Sequence, residues 1–405
     1  MNDAVDHYAS VYRSALVDDC VPFWESHSPD RKYGGYFNCL DRDGSVYDTE
    51  KHVWMQWRIV WTFCELYSQV EKKDEWLELA RLGFDFLTKH GRDEKGRYYF
   101  ALTCDGRPAV APYSVYSDCF AVMGAAAYYR ATGDNGARNE ALRAFESYLS
   151  RESRPKGEWT KELEGREPMT TLGFYMMKAN LLSVLDECLG DHSYRAEALS
   201  AARGILDHFW NSDLRVVFEN VRPDGGFDLD SMQGRHLNPG HALEAMWFIM
   251  NAAARAGDTE LVGRASDVAL AELEFGWDPE HGGVFYFMDA LGKPHLELQW
   301  NMKLLWVHNE ALVAAAMAYK LTGRYEMAQW FQRIHDWTWA HFPDPEYGEW
   351  FANLDRQGNP THLLKGGKWK CFFHLPRMLL ICSALFDGTL FDGVARPSCG
   401  VGRGY

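Results

Sequence analysis

Two hydrophobic patterns alternate along this chain, and the alternation recurs at a nearly fixed interval. Short segments in which aromatic residues precede a turn glycine are typical of β-hairpins, and they return about every 60 residues. The six segments are Gly35–Phe37 with Asp43–Gly44, Tyr98–Phe100 with Asp105–Gly106, Glu158–Trp159 with Gly165, Val217–Glu219 with Asp224–Gly225, Val284–Tyr286 with Gly292, and Glu349–Phe351 with Gly358. Self-similarity at a fixed period predicts a closed ring of repeats.

Between successive hairpins the apolar residues follow a helical period over two stretches. The two stretches meet at a Gly, and in three of four junctions an Asp follows it, at 131–134, 189–191, 256–258 and 321–324. Gly favours the end of a helix and Asp the start of the next, so each junction predicts a helix-turn-helix joint. First helices are expected at roughly 51–70, 113–131, 168–188, 238–256, 300–322 and 374–388, and second helices at roughly 74–90, 136–151, 193–210, 258–275 and 325–341.

The count of helices predicts how the ring closes. A helix at roughly 3–27 has no hairpin of its own and is expected to pair with the last first helix. The first helices are the more aromatic set, so they should form an inner barrel inside the more charged second set. The prediction is an all-α fold, an (α/α)6 barrel with short β-hairpins at one end, in one domain over residues 1–392 followed by a disordered tail at 393–405. A six-bladed propeller is excluded, because about 35 helical residues per repeat leave no room for its strands.

Bulk properties restrict the partners. The net charge of −15 argues against nucleic acid and anionic membranes. No apolar run reaches the length of a membrane span, and the N-terminus lacks the basic start and apolar core of a signal peptide. Nine cysteines without a CxxC pair indicate reduced thiols. A cytoplasmic protein is therefore expected.

Candidate chemistry lies in the first turns of the inner helices, where the hairpins gather. Asn238 and Pro239 start the fourth inner helix strongly, and His241 and Glu244 share one face of it. At the start of the sixth, His374 precedes an arginine by three residues, and both that charge and the helix end should lower its pKa. Each histidine alone suits a core or capping role. Their equivalent places in alternate repeats favour two histidines facing each other across one pocket.

Other polar residues in aromatic surroundings add to this prediction. Arg58 lies between Trp54 and Trp61 on the first inner helix and needs a polar partner, either in the pocket or on Glu65. Trp306 and Glu310 share a face of the fifth inner helix, and such a Trp suits either a sugar or the core. His308 lies off that face, and the Gly-rich loop 365–369 lacks P-loop spacing. The sequence also lacks a Ser elbow, an HExxH motif and an EF-hand loop.

Four longer motifs make the chain resemble the N-acylglucosamine 2-epimerase family, which is also the family of renin-binding protein. The motifs are Asn238–Glu244, Gly276–Gly283, Asp344–Phe351, and Lys365–Gly367 with Phe373–Arg377. The likeness runs from about residue 21 to 386. It implies an (α/α)6 barrel, a homodimer, and a catalytic pair at the positions of His241 and His374. Arg58, Glu244 and Glu310 match pocket positions of the family.

The resemblance implies interconversion of N-acetylglucosamine and N-acetylmannosamine, an amino-sugar reaction. Inversion at C2 requires two bases that remove and return a proton through an enediolate, and histidines suit this work. Arg58 would stabilise the oxyanion, Glu244 would orient His241 or bind a hydroxyl, and Glu310 would bind a hydroxyl. The remaining expected substrate contacts are Asn180, Trp306, Trp369 and Arg377. No metal or redox cofactor is expected, and ATP is implied only as an activator of some members.

Four alternatives are weighed at this stage, two of them within the family. Cellobiose 2-epimerases of the family carry a histidine four residues after the asparagine matching Asn180, and Val184 at that place disfavours a disaccharide substrate. Mannose isomerases share both histidines, so aldose–ketose isomerisation stays open. An (α/α)6 glycoside hydrolase would need two carboxylates, such as Glu244 and Glu310, and would leave the histidines idle. A protein-binding role such as renin binding would be secondary to catalysis.

Overall fold

The computed structural model describes residues 2–161, 163 and 169–391, and helices dominate them. Six helices form an inner ring and bury most of their surface. They are α3 (Val53–Glu65), α5 (Tyr116–Thr132), α7 (Leu172–Leu189), α10 (Pro239–Ala256), α12 (Leu305–Thr322) and α14 (His374–Asp387). Their bounds match the six predicted first helices within a few residues, apart from a start near 305 rather than 300 for α12.

A second set of helices wraps the inner ring. Its members are α4 (Asp74–His90), α6 (Asn135–Ser150), α8 (Tyr194–Phe209), α11 (Thr259–Gly276) and α13 (Tyr325–His341). Each has one buried stripe, as in α13, where the buried side chains are Met327, Phe331, Ile334 and Thr338. Since an amphipathic helix exposes its polar face, the predicted division into inner and outer helices is confirmed.

The N-terminal segment closes the ring. It consists of α1 (Asn2–Ser14), a π-helical stretch Ala15–Cys20 and α2 (Val21–His27). The hydroxyl of Ser383 on α14 donates to the carbonyl of Ala9 at 3.2 Å. The rings of Tyr8 and Phe386 lie 5.3 Å apart. The predicted pairing of the first helix with the last is therefore confirmed, and the fold is the (α/α)6 barrel.

Most helix junctions follow the predicted chemistry. Gly257 and Gly323 end α10 and α12 in the left-handed conformation at φ of 74° and 71°, where a side chain would be strained. Asp134 and Asp258 cap the following helices by accepting from the backbone N–H of Gly136 and Leu261. At the second junction Gly190 ends α7 as predicted, but the predicted Asp cap is wrong, because Asp191 accepts from the N–H of Ser193 and α8 begins only at Tyr194.

Short strands join neighbouring repeats at one end of the barrel. The residues just before an inner helix pair with residues of the following repeat, as when β12 (Lys303–Leu304) pairs with β13 (Asn353–Leu354). The same arrangement is found for β3 (Lys51–His52) with β4 (Ala101–Leu102), β6 (Thr170–Thr171) with β9 (Asn220–Val221), and β10 (His236–Leu237) with β11 (Met288–Asp289). A short helix, α9 (Met232–Arg235), directly precedes β10. These pairs fix the first turns of the inner helices relative to one another.

Local hairpins are fewer than predicted. Within the described residues, predicted hairpins form between β1 (Cys39–Leu40) and β2 (Val46–Asp48) and between β4 and β5 (Pro108–Val110). A further hairpin, between β7 (Trp210–Asn211) and β8 (Val216–Val217), turns before the predicted Asp224–Gly225. A single bridge joins Leu354 to Pro360 around the predicted Gly358. The predicted third segment is wrong, since Glu158 and Trp159 lie in a 3₁₀ turn. Its turn residue Gly165 lies outside the described residues, as does the predicted tail at 393–405.

Buried ion pairs hold the loops at this end. Asp278 accepts from Lys303 at 3.2 Å and from Arg356 at 2.8 Å. Equivalent pairs join Asp30 to Lys51 and Asp344 to Lys365. Because an unpaired charge is costly to bury, each pair ties a loop after an outer helix to the segment that leads into an inner helix.

Two further features concern predictions about the compartment. None of the helices in the described part of the chain has the length and apolar character needed to span a bilayer. Eight cysteines fall within the described residues, and all of them are free thiols. The single domain over 1–392 stays a prediction.

Candidate active site

A cavity of about 830 Å³ opens at the end of the barrel where the strands join the inner helices. The first turns of the inner helices and the ends of the strands form the walls of this cavity, because every repeat places them at this end of the barrel. Its central side chains include Arg58, Tyr116, His241, Glu244, Trp306 and His374. Both predicted histidines therefore lie in one cavity.

His241 is held in the first turn of α10 by local and tertiary bonds. Asn238 caps the helix by accepting from the backbone N–H of His241 at 3.2 Å, and Pro239 follows at the first helical position. The Nδ1 of His241 lies 2.9 and 3.0 Å from the two carboxylate oxygens of Glu219. Since a carboxylate accepts, Nδ1 carries a proton and Nε2 is left for chemistry. Burial opposes the charged ring, but the Glu219 carboxylate outweighs it and raises the pKa of His241.

His374 begins α14 and has a different environment. Its Nδ1 donates to Glu310 at 2.8 Å, and the same oxygen of Glu310 accepts from Arg377 at 2.7 Å. The other oxygen of Glu310 accepts from the indole of Trp247 at 2.8 Å. Burial and the positive charges of Arg58 and Arg377 hold the pKa of His374 well below its ordinary value. The lowered pKa of His374 agrees in direction with the expectation from the sequence.

Trp306 contacts both histidines. The centroid of its ring system lies 5.3 Å from that of His241 and 5.7 Å from that of His374. The indole also lies close to the backbone of Gly240, where a Cβ would stand 2.7 Å from two ring carbons. A planar apolar surface therefore lies against both candidate bases.

Arg58 is buried in the cavity wall without a carboxylate partner among the described residues. Its guanidinium lies 3.9 Å from the ring centroid of Phe120, 4.5 Å from Trp54 and 4.7 Å from Phe373. Burial and the neighbouring Arg377 lower its pKa to about 10. The alternative partner Glu65 instead binds Arg130. A buried cation without an anion is suited to meet negative charge on a ligand.

The structure corrects the expected roles of two glutamates. Glu244 lies in the cavity wall but binds Arg377, and the contact to His241 belongs to Glu219. Glu310 lies beneath the cavity, where its oxygens are already occupied by protein donors. Side-chain atoms of Glu244, Glu310 and His374 that are able to bind a metal ion also lie close together. Arg377 donates to both of these carboxylates. Arg377 therefore acts from below the cavity rather than as a substrate contact.

Of two other expected contacts, Asn180 lies in a different cavity and Trp369 lies at the mouth of the first. Asn180 lies two turns below the start of α7 and lines a second cavity of about 710 Å³ among the C-terminal ends of the inner helices. Its amide lies 3.7 Å from the sulfur of Met123. Eight residues of helix rise by about 12 Å, which explains why Asn180 does not reach the histidines. Trp369 lines the mouth of the first cavity, mostly exposed, 5.6 Å from the ring of Trp54.

Sequence reasoning missed three residues of the site. Glu219, Tyr116 and Tyr286 lie around His241, and burial and the Glu219 carboxylate raise the pKa of Tyr286 to about 12. Glu219 and Tyr286 belong to predicted hairpin segments, and Tyr116 begins α5. The sequence did predict that the hairpins gather at the starts of the inner helices, and this was the available indication that the three residues would meet.

A family model and curated proteins match the chain. The model of N-acylglucosamine 2-epimerase (GlcNAc 2-epimerase) matches residues 35–377. The chain is 40% identical to N-acylglucosamine 2-epimerase of Bos taurus over 387 residues, covering 92% of this chain and 90% of that protein. It is 26% identical to cellobiose 2-epimerase of Bacteroides fragilis over 392 residues, covering 90% of this chain and 96% of that protein.

Solved structures share the fold. Cellobiose 2-epimerase from Bacillus thermoamylovorans superposes with a TM-score of 0.80 at 22% identity, covering 95% of this chain and 99% of that one. A D-mannose isomerase superposes with a TM-score of 0.77 at 18% identity, covering 93% and 97% of the two chains. At such identities the likeness establishes the barrel, and the substrate has to be argued from the site.

Proposed function

This chain belongs to the N-acylglucosamine 2-epimerase family, and we propose that it interconverts N-acetylglucosamine and N-acetylmannosamine. One observation carries the proposal most directly. His241 and His374 line one cavity, each with its Nδ1 held by a carboxylate, and both contact the indole of Trp306. Two such imidazoles are what inversion of a C–H centre requires, because the proton leaves from one face and returns to the other.

The chemistry proceeds on the open-chain sugar. One histidine takes the proton from C2, and the electron pair of the C–H bond moves into an enolate whose negative charge lies on the C1 oxygen. Because C2 carries the acylamino nitrogen, this intermediate is an enolate rather than the expected enediolate. The other histidine delivers a proton to C2 from the opposite face. Arg58 is suited to stabilise the negative oxygen, since its buried guanidinium has no carboxylate partner within the described residues.

Part of the cavity suits an N-acyl substituent. Phe120, Met176, Met177 and Leu305 line it alongside the histidines. An acetyl methyl group removed from water by such side chains gains about 25 cal/mol per Å² of buried apolar surface. This apolar wall supports an acylated amino sugar over an unsubstituted hexose.

Other parts of the proposal rest on the family. Epimers have the same composition and oxidation state, so the reaction balances without a redox partner. We expect a cytoplasmic homodimer with ATP as an activator, and light scattering and assays with and without ATP test these points. The proposed steps of the reaction involve no metal.

A panel of sugars followed by NMR tests the proposal. N-acetylmannosamine should give N-acetylglucosamine, whereas mannose and cellobiose should be converted at least about tenfold more slowly at equal concentration, a difference of about 1.4 kcal/mol in activation free energy. Fructose from mannose as the faster product would move the assignment to an isomerase. Faster conversion of cellobiose would move it to a disaccharide epimerase.

A further inference from the structure

The two histidines have unequal electrostatic surroundings, beginning with His241. Glu219 meets the Nδ1 of His241 with both carboxylate oxygens, at 2.9 and 3.0 Å. Within the described part of the chain, His241 is the only basic side chain in ion-pair contact with Glu219. The negative charge of Glu219 is therefore directed to His241 without a competing cation, which favours a protonated ring.

At His374 the corresponding carboxylate also binds a cation, because Glu310 shares the guanidinium of Arg377 with Glu244. Glu310 accepts from Arg377 at 2.7 Å as well as from His374 at 2.8 Å, and Trp247 occupies its second oxygen. Arg377 Nη2 also lies 3.3 Å from Nδ1 of His374, so a fixed positive charge faces the ring. Glu310 thus orients His374 without favouring a second positive charge on it.

The other ionisable groups that face His241 and His374 preserve this difference between their electrostatic surroundings. Arg58 opposes a proton on His374, and Glu244 favours one on either ring. His236 on β10 adds a weak repulsion between imidazoles, and burial lowers its own pKa. The phenols of Tyr116 and Tyr286 stay neutral, because burial raises the pKa of each.

Resting on the proposed function, we propose that Glu219 is a positioning residue that keeps the proton on His241, while the Arg377–Glu310 pair leaves His374 as the free base. The resting enzyme then holds one acid and one base in a defined order. In the direction that uses this state, Nε2 of His374 takes the C2 proton, the C2–H bond breaks, and its electron pair enters the enolate on the C1 oxygen. Nε2 of His241 gives its proton to the opposite face of C2 and is left neutral.

This order has a consequence for pH dependence. In both directions the active enzyme carries one proton on the pair of histidines. The plot of kcat/KM against pH should therefore be the same bell-shaped curve in each direction. The alkaline limb reports proton loss from His241, and the acid limb reports a second proton on His374. Removing the charge of Glu219 should therefore move the alkaline limb to lower pH and leave the acid limb in place.

Glu219→Gln keeps the shape and removes the charge. Its alkaline limb should move down by about one pH unit or more. Glu219→Asp, which retains the charge, should keep the wild-type limb even if kcat falls. The matched control is Glu272→Gln, a buried glutamate that accepts from the N–H of Val217 near Glu219 but does not touch His241. Its limbs should be those of the wild type.

Imidazole titration by NMR gives a readout independent of turnover. In ¹⁵N-histidine-labelled enzyme, assigned with His241→Asn and His374→Asn, His241 should lose its proton at a pH above the ordinary range for histidine and His374 at a pH below it. In Glu219→Gln, His241 should lose its proton at lower pH. If an active Glu219→Gln enzyme keeps the wild-type pH profile of kcat/KM and the wild-type titration of His241, this inference is overturned and the proposed function is not. Wild-type enzyme without epimerase activity would instead overturn the proposed function, and the titration would still decide the protonation order.

Discussion

Gly240 and Trp306 approach so closely that no side chain fits between them. A Cβ on Gly240 would lie 2.7 Å from two carbons of the indole, well inside ordinary contact distance. Gly240 directly precedes His241, and Trp306 contacts both His241 and His374. The missing side chain therefore allows the aromatic surface to lie against both histidines.

Gly240→Ala is expected to displace the indole and lower kcat. A shift of about 1 Å in a positioning group can cost about 100-fold in rate, so a loss of about 10- to 100-fold is expected. Gly263→Ala on α11 is the matched control, because a Cβ there meets open space and Ala favours a helix by about 1 kcal/mol. Steady-state kinetics and thermal melts measure both. Equal activity of the two variants would contradict the role given to Trp306.

Removal of either histidine should separate exchange from epimerisation. His241→Asn and His374→Asn should each lose about 10²- to 10⁴-fold in epimerisation, the usual contribution of a general acid–base group. Each retains one base, so each should still exchange the C2 hydrogen of one epimer with solvent, and the two variants should act on opposite epimers. Proton NMR in D2O measures this. Exchange of the same epimer by both variants would contradict a two-base site, and His208→Asn on the outer helix α8 should behave as wild type.

Arg58→Met is expected to lose activity without losing stability. The guanidinium is buried and lacks a carboxylate partner in the described part of the chain, and burial first and Arg377 second lower its pKa to about 10. Methionine avoids the free-energy cost of burying a charge without a partner, so stability should not fall. The loss of an oxyanion donor should lower kcat by about 10²- to 10³-fold. Kinetics and urea unfolding measure the two effects.

The control for this variant is Arg130→Met. Arg130 forms an ion pair with Glu65 and lies away from the histidines. Breaking a largely buried pair leaves the other charge unpaired, so this variant should be the less stable of the two. If Arg58→Met unfolds at the lower urea concentration, the guanidinium of Arg58 has a partner that this account does not include.

Stability should fall with rising pH because of Glu272. Burial raises the pKa of this carboxyl to about 8, an effect that the N–H of Val217 only partly offsets. A folded-state pKa above the unfolded value means that the stability is fully present below about pH 4.5 and is lost as pH rises through about 8. Glu272→Gln removes this dependence, so its advantage should grow with pH, by at most about 1.4 kcal/mol per unit.

Urea unfolding of both proteins at pH 5 and pH 9 measures the effect. The variant should match the wild type at the lower pH and exceed it at the higher. Parallel stability curves for the two proteins would mean that Glu272 does not titrate in this range.

The sequence predicted local features better than tertiary partners. Helix ends at Gly257 and Gly323, and the placement of His241 and His374 in first turns, depend on nearby residues and were confirmed. Of the two roles expected for Glu244, orienting His241 was wrong, because the guanidinium of Arg377 arrives from another helix and binds the carboxylate, while binding a sugar hydroxyl stays a prediction. Glu219 lies 22 residues before His241 in another element, and no helical spacing relates the two.

The strand pairing shows the same limit. Aromatic residues before Asp105–Gly106 form the predicted local hairpin, whereas the strands at 288–289 and 353–354 pair with residues from the preceding repeat. The local pattern indicates extended backbone, but the pairing partner depends on how the repeats pack. Asn180 was misplaced for a related reason, since its depth along α7 decides which cavity it lines.

The most direct test is the fate of hydrogen at C2 when the wild-type enzyme acts on N-acetylmannosamine in D2O. Two-base epimerisation predicts N-acetylglucosamine with one deuterium at C2, because the incoming proton comes from a different, solvent-exchanged histidine. Little deuterium should appear in recovered substrate early in the reaction. Protium retained at C2 of the product, or no conversion, would contradict two-base epimerisation by His241 and His374.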